Sequence, residues 1–213
     1  MASMLPEEAW SYADAWLDES EQVRAARAKA DELGVTPVTA STGDLLTVLA
    51  ASIGASAVVE VGTGAGVSGA ALLAGMRPEG ILTSIDIEAE NQRVAKDTFT
   101  ALGYHHQRSR LIAGRALEVL PRLTDQAYDI VFADSDPTEY PAVLAQATRL
   151  LRIGGLVIFD QVLDAGRIAD PAHRDAETVA LRDVANAVRD DDRWRGALLT
   201  VGTGLLVATL VAR

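Results

Sequence analysis

The 213-residue chain contains no cysteine, only two lysines, Lys29 and Lys96, and few aromatic residues (5%). The lack of cysteine excludes disulfide bonds, thiolate metal sites and a cysteine nucleophile. Acidic residues outnumber basic ones, 30 to 19, and the formal net charge is -11. This excess of negative charge argues against binding to nucleic acid or to anionic membranes.

Long hydrophobic runs are also missing. The N-terminal sequence MASMLPEEAW has neither a basic region nor an apolar one, which predicts no signal peptide. The most apolar stretch, residues 196–212, is interrupted by Gly202 and Gly204 and is rich in Val and Thr, which predicts two strands and a turn rather than a membrane helix. We therefore expect a cytoplasmic protein that forms one domain over residues 1–213, with an N-terminal helical cap (1–54) and an α/β core (55–213).

Helical and strand patterns alternate along the core. Because parallel strands need crossover connections, this alternation predicts a doubly wound, Rossmann-like sheet that is mainly parallel. The last two strands are joined only by the few residues around GTG (202–204), so the last strand must be antiparallel. The predicted helices are 1–33, with Trp10 and Trp16 as its packing residues, 41–54, 67–76, 89–102, 115–121, 139–151 and 174–190; the strands are 57–62, 81–86, 110–114, 128–134, 155–160 and a pair within 196–212.

A glycine-rich loop, EVGTGAGVSG (60–69), follows the first strand of the core. Its glycines at 62, 64 and 66 are expected to let a ligand approach the backbone. A dinucleotide-binding loop needs a third glycine where this chain has Val67. Glu60 instead suits a ligand with an ammonium group, and Asp86 is placed to accept hydrogen bonds from a ribose diol.

Two further carboxylates, Asp134 and Asp160, follow the fourth and fifth strands, and Gln161 comes directly after the second. Adjacent parallel strands would bring these side chains together at the edge that carries the glycine loop. Two carboxylates and an amide oxygen suit Mg²⁺, Mn²⁺ or Ca²⁺ better than zinc. The pattern alone leaves open that both aspartates only cap the following elements. Asp136 is interpreted as the N-cap of the next helix.

The loop and Asp86 resemble class I S-adenosylmethionine-dependent methyltransferases. Together with GRALEVL (114–120), Asp134 and DQVL (160–163), they resemble more narrowly the cation-dependent O-methyltransferases typified by catechol and caffeoyl-CoA O-methyltransferases. The resemblance covers the chain from about residue 36 to the end. It implies S-adenosylmethionine and a divalent cation as cofactors, a small hydroxyl acceptor such as a vicinal diol, and a homodimer. Carried over from that family, the cofactor-binding residues are Val38, Glu60, Gly62, Thr63, Ser68, Asp86, Ala116 and Asp134, the metal ligands are Asp134, Asp160 and Gln161, and the catalytic residue is Asp134.

Three positions depart from the family pattern. The family's lysine, proposed there to accept the hydroxyl proton, is replaced by Pro137; its asparagine ligand is Gln161; and Asp164 stands where relatives often carry an aromatic residue. Two other functions therefore remain open: a cofactor-binding protein that has lost or altered catalysis, favoured by Pro137, and a nicotinamide oxidoreductase, disfavoured by Val67. His105, His106 and His173 are interpreted as surface residues rather than catalytic ones.

Overall fold

One seven-stranded sheet organises the protein, which the computed structural model describes for residues 6–213. The strand order is β3-β2-β1-β4-β5-β7-β6. The first five strands pair in parallel, and β7 runs antiparallel to both β5 and β6, so the predicted fold class is confirmed. The strands are β1 (Ala57–Val61), β2 (Ile81–Asp86), β3 (Ser109–Ala113), β4 (Tyr128–Ala133), β5 (Leu151–Phe159), β6 (Trp194–Leu199) and β7 (Leu205–Leu210).

Helices cover both faces of this sheet. Because alternate residues of a strand point to opposite faces, neighbouring residues such as Val58 and Val59 belong to two different hydrophobic cores. One core holds side chains of α6, α7 and α8, and the other holds side chains of α3, α4 and α5. The helices are α1 (Glu7–Asp14), α2 (Glu21–Leu33), α3 (Ala40–Ser52), α4 (Val67–Gly75), α5 (Ala89–Ala101), α6 (Ala116–Val119), α7 (Tyr140–Leu150) and α8 (Ala176–Asp190).

The prediction of one helix over residues 1–33 is wrong. Two helices, α1 and α2, are separated by residues 15–20, and the predicted helical residues 1–5 lie outside the described range. The break follows from Ser20, whose side chain accepts a hydrogen bond from the Val23 amide and so caps the start of α2. Gly34 ends α2 in the left-handed conformation, as the sequence predicts.

Trp10 and Trp16 are not packing residues within this chain. They are 44% and 66% exposed, and α1 has no buried residue. The expectation that they are packing residues of the N-terminal helix is therefore wrong for the isolated chain.

Strand β5 begins earlier than predicted, at Leu151 rather than at residue 155. Its pairing with β4 shifts register between Tyr128 and Ile130, so the segment around Gly154 and Gly155 joins the strand as an irregular extension. The other boundaries agree within a few residues. No helix in residues 6–213 is both long enough and apolar enough to cross a lipid bilayer.

Candidate active site

A cavity of about 570 Å³ lies at the carboxyl ends of β1, β2 and β4. In a doubly wound sheet this is the edge where ligands bind. The glycine loop forms one wall, and the loop between α2 and α3 (34–38) forms another. Of the residues expected to bind the cofactor, all but Glu60 line this cavity: Val38, Gly62, Thr63, Ser68, Asp86, Ala116 and Asp134.

Glu60 lies behind the cavity wall, on β1, with no exposed surface. Its carboxylate accepts hydrogen bonds from Ser68 Oγ (2.7 Å) and from Ser84 Oγ. Burial raises the pKa of Glu60 to about 7, although the two hydroxyl donors act in the opposite direction. Glu60 therefore acts on the cavity through Ser68, whose side chain lies between the carboxylate and the ligand space.

Asp86, at the end of β2, is held by donors from the protein itself. Its Oδ2 accepts from the amides of Thr63 (2.9 Å) and Gly64 (3.0 Å) and from Asn91 Nδ2 (3.1 Å). Its Oδ1 accepts from the Glu88 amide (2.9 Å), which leaves acceptor capacity on that oxygen. This free capacity fits one hydroxyl of a ribose diol, and the fixed Oδ2 keeps the carboxylate in place.

The three glycines of the loop have different functions. A Cβ on Gly62 would lie 2.0 Å from the Asp134 carbonyl oxygen, and one on Gly66 would lie 3.0 Å from Ala95. Only at Gly64 is the space open, with its nearest neighbour, Val35 Cγ1, at 4.0 Å. The expectation that all three glycines clear space for a ligand is therefore wrong: Gly62 and Gly66 allow close packing of the backbone, and Gly64 alone faces open space.

Asp134 and Asp160 come together as predicted, at the ends of the neighbouring strands β4 and β5. Burial and the nearby charge of Asp160 together raise the pKa of Asp134 to about 7, although the hydrogen bond from Gln161 acts in the opposite direction. Burial also raises the pKa of Asp160, which is 2% exposed. The raised pKa values mean that the hydrogen bonds compensate only part of the negative charge, which a cation or a proton would neutralise.

Gln161, the remaining predicted metal ligand, lies beside Asp134 and Asp160. Its Nε2 donates to Asp134 Oδ1 (2.6 Å), and its backbone amide donates to Asp160 Oδ1 (2.7 Å). The side chain is therefore a donor to the carboxylate, and it would have to turn its amide over to offer Oε1 to a metal ion. The oxygen-only donor set fits a hard cation such as Mg²⁺, provided that this rotation takes place.

The loop after β5 has an unusual backbone. Gln161, Asp164 and Ala165 have φ angles of 62°, 49° and 50°, in the left-handed region that residues other than glycine seldom adopt. Asp164 accepts hydrogen bonds from Arg167 and from Thr178 Oγ1 (2.6 Å), and Thr178 is fully buried on α8. Asp164 thus ties the loop that carries Gln161 to α8, and it does not line the cavity.

Asp136 is confirmed as an N-cap, because its carboxylate accepts from the Thr138 amide (2.9 Å). Pro137 follows it at the first position of a 3-10 turn that leads into α7. The structure thus gives this residue pair a structural function, and Pro137 supplies no titratable group beside Asp134.

The histidines are surface residues, as expected. His105 caps a 3-10 turn before β3, its ring stacks on that of His106 at 4.2 Å, and both residues are exposed. His173 is exposed, with Nε2 3.7 Å from Asp170.

Several polar residues around these carboxylates were not predicted from the sequence. Ser84 is buried and bonds to Glu60, Gln92 is buried and donates to Thr63 Oγ1, and Thr203 Oγ1 donates to Asp160 Oδ1 (2.9 Å). One signal for Ser84 was available: it lies two residues before Asp86 on β2, so both side chains share a face. Nothing local to Gln92 or Thr203 marks them, because their contacts come from distant parts of the chain.

The charged residues of the cavity lining are mostly acidic. Asp86, Glu88, Asp134, Asp136 and Glu139 all contribute carboxyl groups. Within residues 6–213, Arg115 is the single basic residue of the lining, and it forms an ion pair with Glu139 (3.2 Å). Such a lining favours a ligand with positive charge over one with phosphate groups.

Comparison with known proteins shows which family the chain matches. Residues 8–211 match the family described as O-methyltransferase. An O-methyltransferase-family protein of Mycolicibacterium smegmatis is 48% identical over 198 residues, which cover 93% of this chain and 94% of that protein. A protein of Mycobacterium tuberculosis named "probable O-methyltransferase" is 46% identical over 202 residues, covering 95% of this chain and 90% of its own length.

Solved structures show the same fold. A protein of Corynebacterium glutamicum superposes with a TM-score of 0.90 at 34% identity and 97% coverage of both chains. The O-methyltransferase TomG of Streptomyces achromogenes, involved in tomaymycin synthesis and crystallised with S-adenosylmethionine, gives a TM-score of 0.88 at 27% identity, covering 98% of this chain and all of TomG.

Proposed function

The chain belongs to the O-methyltransferase family, and on that premise we propose that it transfers the methyl group of S-adenosylmethionine to a hydroxyl of a small acceptor, assisted by a divalent cation. The observation that carries the proposal is the pairing of a carboxylate-lined cavity with an open glycine, Gly64, and with Asp134 and Asp160 beside it. Family membership leaves the nicotinamide oxidoreductase without support.

The cavity fits S-adenosylmethionine in size and charge. Its volume of about 570 Å³ lies in the range of small-molecule sites. Asp86 has acceptor capacity left for a ribose hydroxyl, and Ser68 with Glu60 behind it suits the amino group. The backbone at Val38 and Ala116 would border the ligand on the remaining sides. TomG, which was crystallised with this cofactor, supports the assignment.

S-adenosylmethionine supplies an activated methyl group on a sulfonium. The protein must hold the acceptor oxygen in line with that methyl group, and alignment of this kind lowers a barrier by roughly 7–11 kcal/mol in favourable cases. Gly64 lets the ligand lie close to the loop backbone, while the carboxylates favour the positive sulfonium over the neutral product.

The acceptor oxygen must also lose its proton. A divalent cation held by Asp134, Asp160 and Gln161 would lower the pKa of a hydroxyl bound to it. Without the cation, Asp134 has a pKa of about 7, which suits a general base near neutral pH. Asp134 is therefore the residue to which we assign the reaction, in place of the lysine that Pro137 replaces.

Methyl transfer to a vicinal diol such as catechol tests the proposal. We expect turnover with Mg²⁺, strong loss of turnover in chelator, and loss of the Mg²⁺ dependence in Asp160→Ala. Equal activity with and without chelator would reject the proposal that a cation assists the reaction, while the proposal of methyl transfer would stand. Absence of S-adenosylmethionine binding at millimolar concentration in a calorimetric titration would reject the function as a whole.

Pro137 favours a second candidate, a protein of the same fold that binds the cofactor but has lost or altered catalysis. Methylation of any compound in a broad screen of hydroxyl acceptors would exclude it. A homodimer and a cytoplasmic location stay predictions, and gel filtration with light scattering measures the first.

A further inference from the structure

A chain of hydrogen bonds leads from α5 through the protein interior to the cavity wall. Gln92, which is 7% exposed, donates through Nε2 to Thr63 Oγ1 (2.8 Å). Thr63 Oγ1 lies 2.6 Å from Ser84 Oγ, and Ser84 Oγ bonds to Glu60 Oε2. On the other side of Glu60, Oε1 accepts from Ser68 Oγ, and Ser68 lines the cavity.

The environment of Gln92 fixes the orientation of its amide. Besides Thr63 Oγ1, Nε2 lies 3.3 Å from the Ile112 carbonyl oxygen and 3.4 Å from that of Ser84. Turning the amide over would set Oε1 against two carbonyl oxygens that cannot donate. In the present orientation Oε1 is buried and has no hydrogen-bond partner among residues 6–213. The side chain is thus held for its donor, even though its acceptor is left unsatisfied.

This orientation favours one direction for the later hydrogen bonds in the chain. Thr63 Oγ1 accepts from Gln92 and keeps its own hydrogen for Ser84, and the hydrogen of Ser84 then points to Glu60. Glu60 receives a second hydrogen from Ser68. With its hydrogen committed to Glu60, Ser68 presents only lone pairs to the cavity.

We propose that Gln92 is a positioning residue for ligand binding: its donor favours the direction in which Thr63 and Ser84 donate toward Glu60, so that Glu60 is held as a carboxylate and Ser68 offers an acceptor to a protonated amine. The identification of that amine as the amino group of S-adenosylmethionine rests on the proposed function. Gln92 itself is not among the residues that line the cavity.

The groups that favour and oppose the charge on Glu60 are nearly balanced, so loss of the Gln92 donor can change its protonation. Its carboxylate is opposed by burial and by the charges of Asp134 on β4 and Asp86 on β2, and it is favoured by the hydroxyls of Ser68 and Ser84. Without the donor of Gln92, the hydroxyls of Thr63 and Ser84 can reverse, so that a protonated Glu60 donates to Ser84. A neutral Glu60 attracts the ammonium group less strongly than the carboxylate does, which weakens binding.

The test compares two ligands that differ at the amine. S-adenosylhomocysteine carries the amino acid end, and 5′-methylthioadenosine keeps the adenosine but lacks that end. Calorimetric titration of both at pH 7.5 would use Gln92→Leu, which removes the donor, and Thr63→Val, which breaks the next link. Thr98→Val is the matched control: Thr98 is buried on the same helix and donates to the Ala65 carbonyl (2.9 Å) of the same loop, outside the chain.

We expect Gln92→Leu to weaken the binding of S-adenosylhomocysteine about tenfold, because the ammonium group of the ligand loses part of its attraction to Glu60. Binding of 5′-methylthioadenosine should change less than about twofold, and Thr98→Val should leave the ratio of the two affinities unchanged. The variant with both Gln92→Leu and Thr63→Val should be no weaker than either single variant, because both break one chain. Gln92→Leu should also move the pH midpoint of S-adenosylhomocysteine binding upward.

Equal weakening of both ligands in Gln92→Leu, or the same ratio change in Thr98→Val, would show a merely structural effect and overturn the inference while leaving the proposed function intact. Unchanged affinities in Gln92→Leu would overturn it as well. Failure of the unaltered protein to bind either ligand would overturn the inference and the proposed function together. If Gln92→Leu does not fold, Thr63→Val alone tests the inference, through the ratio of its affinities for S-adenosylhomocysteine and 5′-methylthioadenosine.

Discussion

Two pairs of carboxylates meet at one edge of the sheet, and they differ in how the protein satisfies them. The loop carboxylates, Glu60 and Asp86, accept hydrogen bonds from hydroxyls, backbone amides and Asn91. The β4–β5 carboxylates, Asp134 and Asp160, face each other, and the charge of one raises the pKa of the other. The first pair is ready to bind an organic ligand, whereas the second needs a cation or a proton to complete it.

The two pairs differ because different numbers of hydrogen-bond donors lie near them. The loop pair lies beside the start of α4 and under the glycine loop, where free backbone amides are abundant. The β4–β5 pair receives its donors from Gln161 and Thr203. We therefore expect changes at the loop pair to affect organic-ligand binding and changes at the β4–β5 pair to affect cation binding.

The largest effect is expected where the two pairs join. Gly62→Ala would set a Cβ 2.0 Å from the Asp134 carbonyl at a φ of +95°, so strain and overlap should lower the unfolding free energy by about 4 kcal/mol. Gly64→Ala, at a φ of +49° in open space, should lower it by only about 1 kcal/mol. Urea denaturation of both variants measures the contrast, and equal losses would contradict the packing function given to Gly62.

Next in size is the pH dependence that Glu60 contributes. Its pKa is about 7 in the folded protein and about 4.5 when exposed, so the folded state binds the extra proton between these values. Stability from this group is therefore lost as pH rises from about 4.5 to 7. Glu60→Gln should remove that loss and raise the unfolding free energy at pH 8 by about 3 kcal/mol, with little change at pH 4.

Denaturation curves of Glu60→Gln and the unaltered protein at pH 4 and pH 8, without ligand, measure this effect. Lower stability of Glu60→Gln at pH 8 would show that the carboxylate stabilises the fold. The same variant should bind S-adenosylhomocysteine more weakly, because the buried charge of Glu60 lowers the stability of the fold but favours binding of the ligand.

A smaller effect, stabilisation by a divalent cation, should distinguish the two carboxylate pairs. Mg²⁺ at 10 mM should raise the unfolding free energy at pH 8 by about 1.5 kcal/mol, which corresponds to a dissociation constant near 1 mM. Asp160→Asn should abolish this gain, and Glu60→Gln should keep it. Thermal unfolding with and without Mg²⁺ provides the measurement, and an equal gain in Asp160→Asn would place the cation elsewhere.

The smallest effect is expected at Gln161, whose φ of 62° is unfavourable for glutamine. Asparagine tolerates this conformation better, so Gln161→Asn should raise the unfolding free energy by about 0.5 kcal/mol. Gln107→Asn, at an exposed position in a 3-10 turn with ordinary backbone angles, is the matched control and should not stabilise. A loss of stability in Gln161→Asn would show that the bond to Asp134 outweighs the backbone strain.

Most of the fold follows from local patterns. Alternating strands and helices and the short GTG connection were sufficient to predict the sheet with its antiparallel last strand. The break between α1 and α2 was missed because Ser20 lies inside a long helical pattern, where one capping residue is a weak signal. The exposure of Trp10 and Trp16 depends on which surfaces lie near α1, which no local pattern encodes.

The site was predictable in part, for a physical reason. Asp134 and Asp160 could be brought together because strand ends of neighbouring parallel strands share an edge. The functions of Gly62 and Gly66 could not be assigned, since they depend on the approach of Asp134 and Ala95 from elsewhere in the chain. The chain from Gln92 to Ser68 likewise joins three separate parts of the sequence, residues 60–68, Ser84 and Gln92, so only the folded arrangement reveals it.

A crystal structure with S-adenosylhomocysteine and Mn²⁺ would show whether the two carboxylate pairs bind different ligands. We expect the organic ligand to lie across Gly64, with its ribose at Asp86 and its amino group at Ser68, and an anomalous peak between Asp134 and Asp160. Ligand density in this cavity with Mn²⁺ bound elsewhere would contradict the division between the two carboxylate pairs. Ligand density outside the cavity would contradict the proposed function itself.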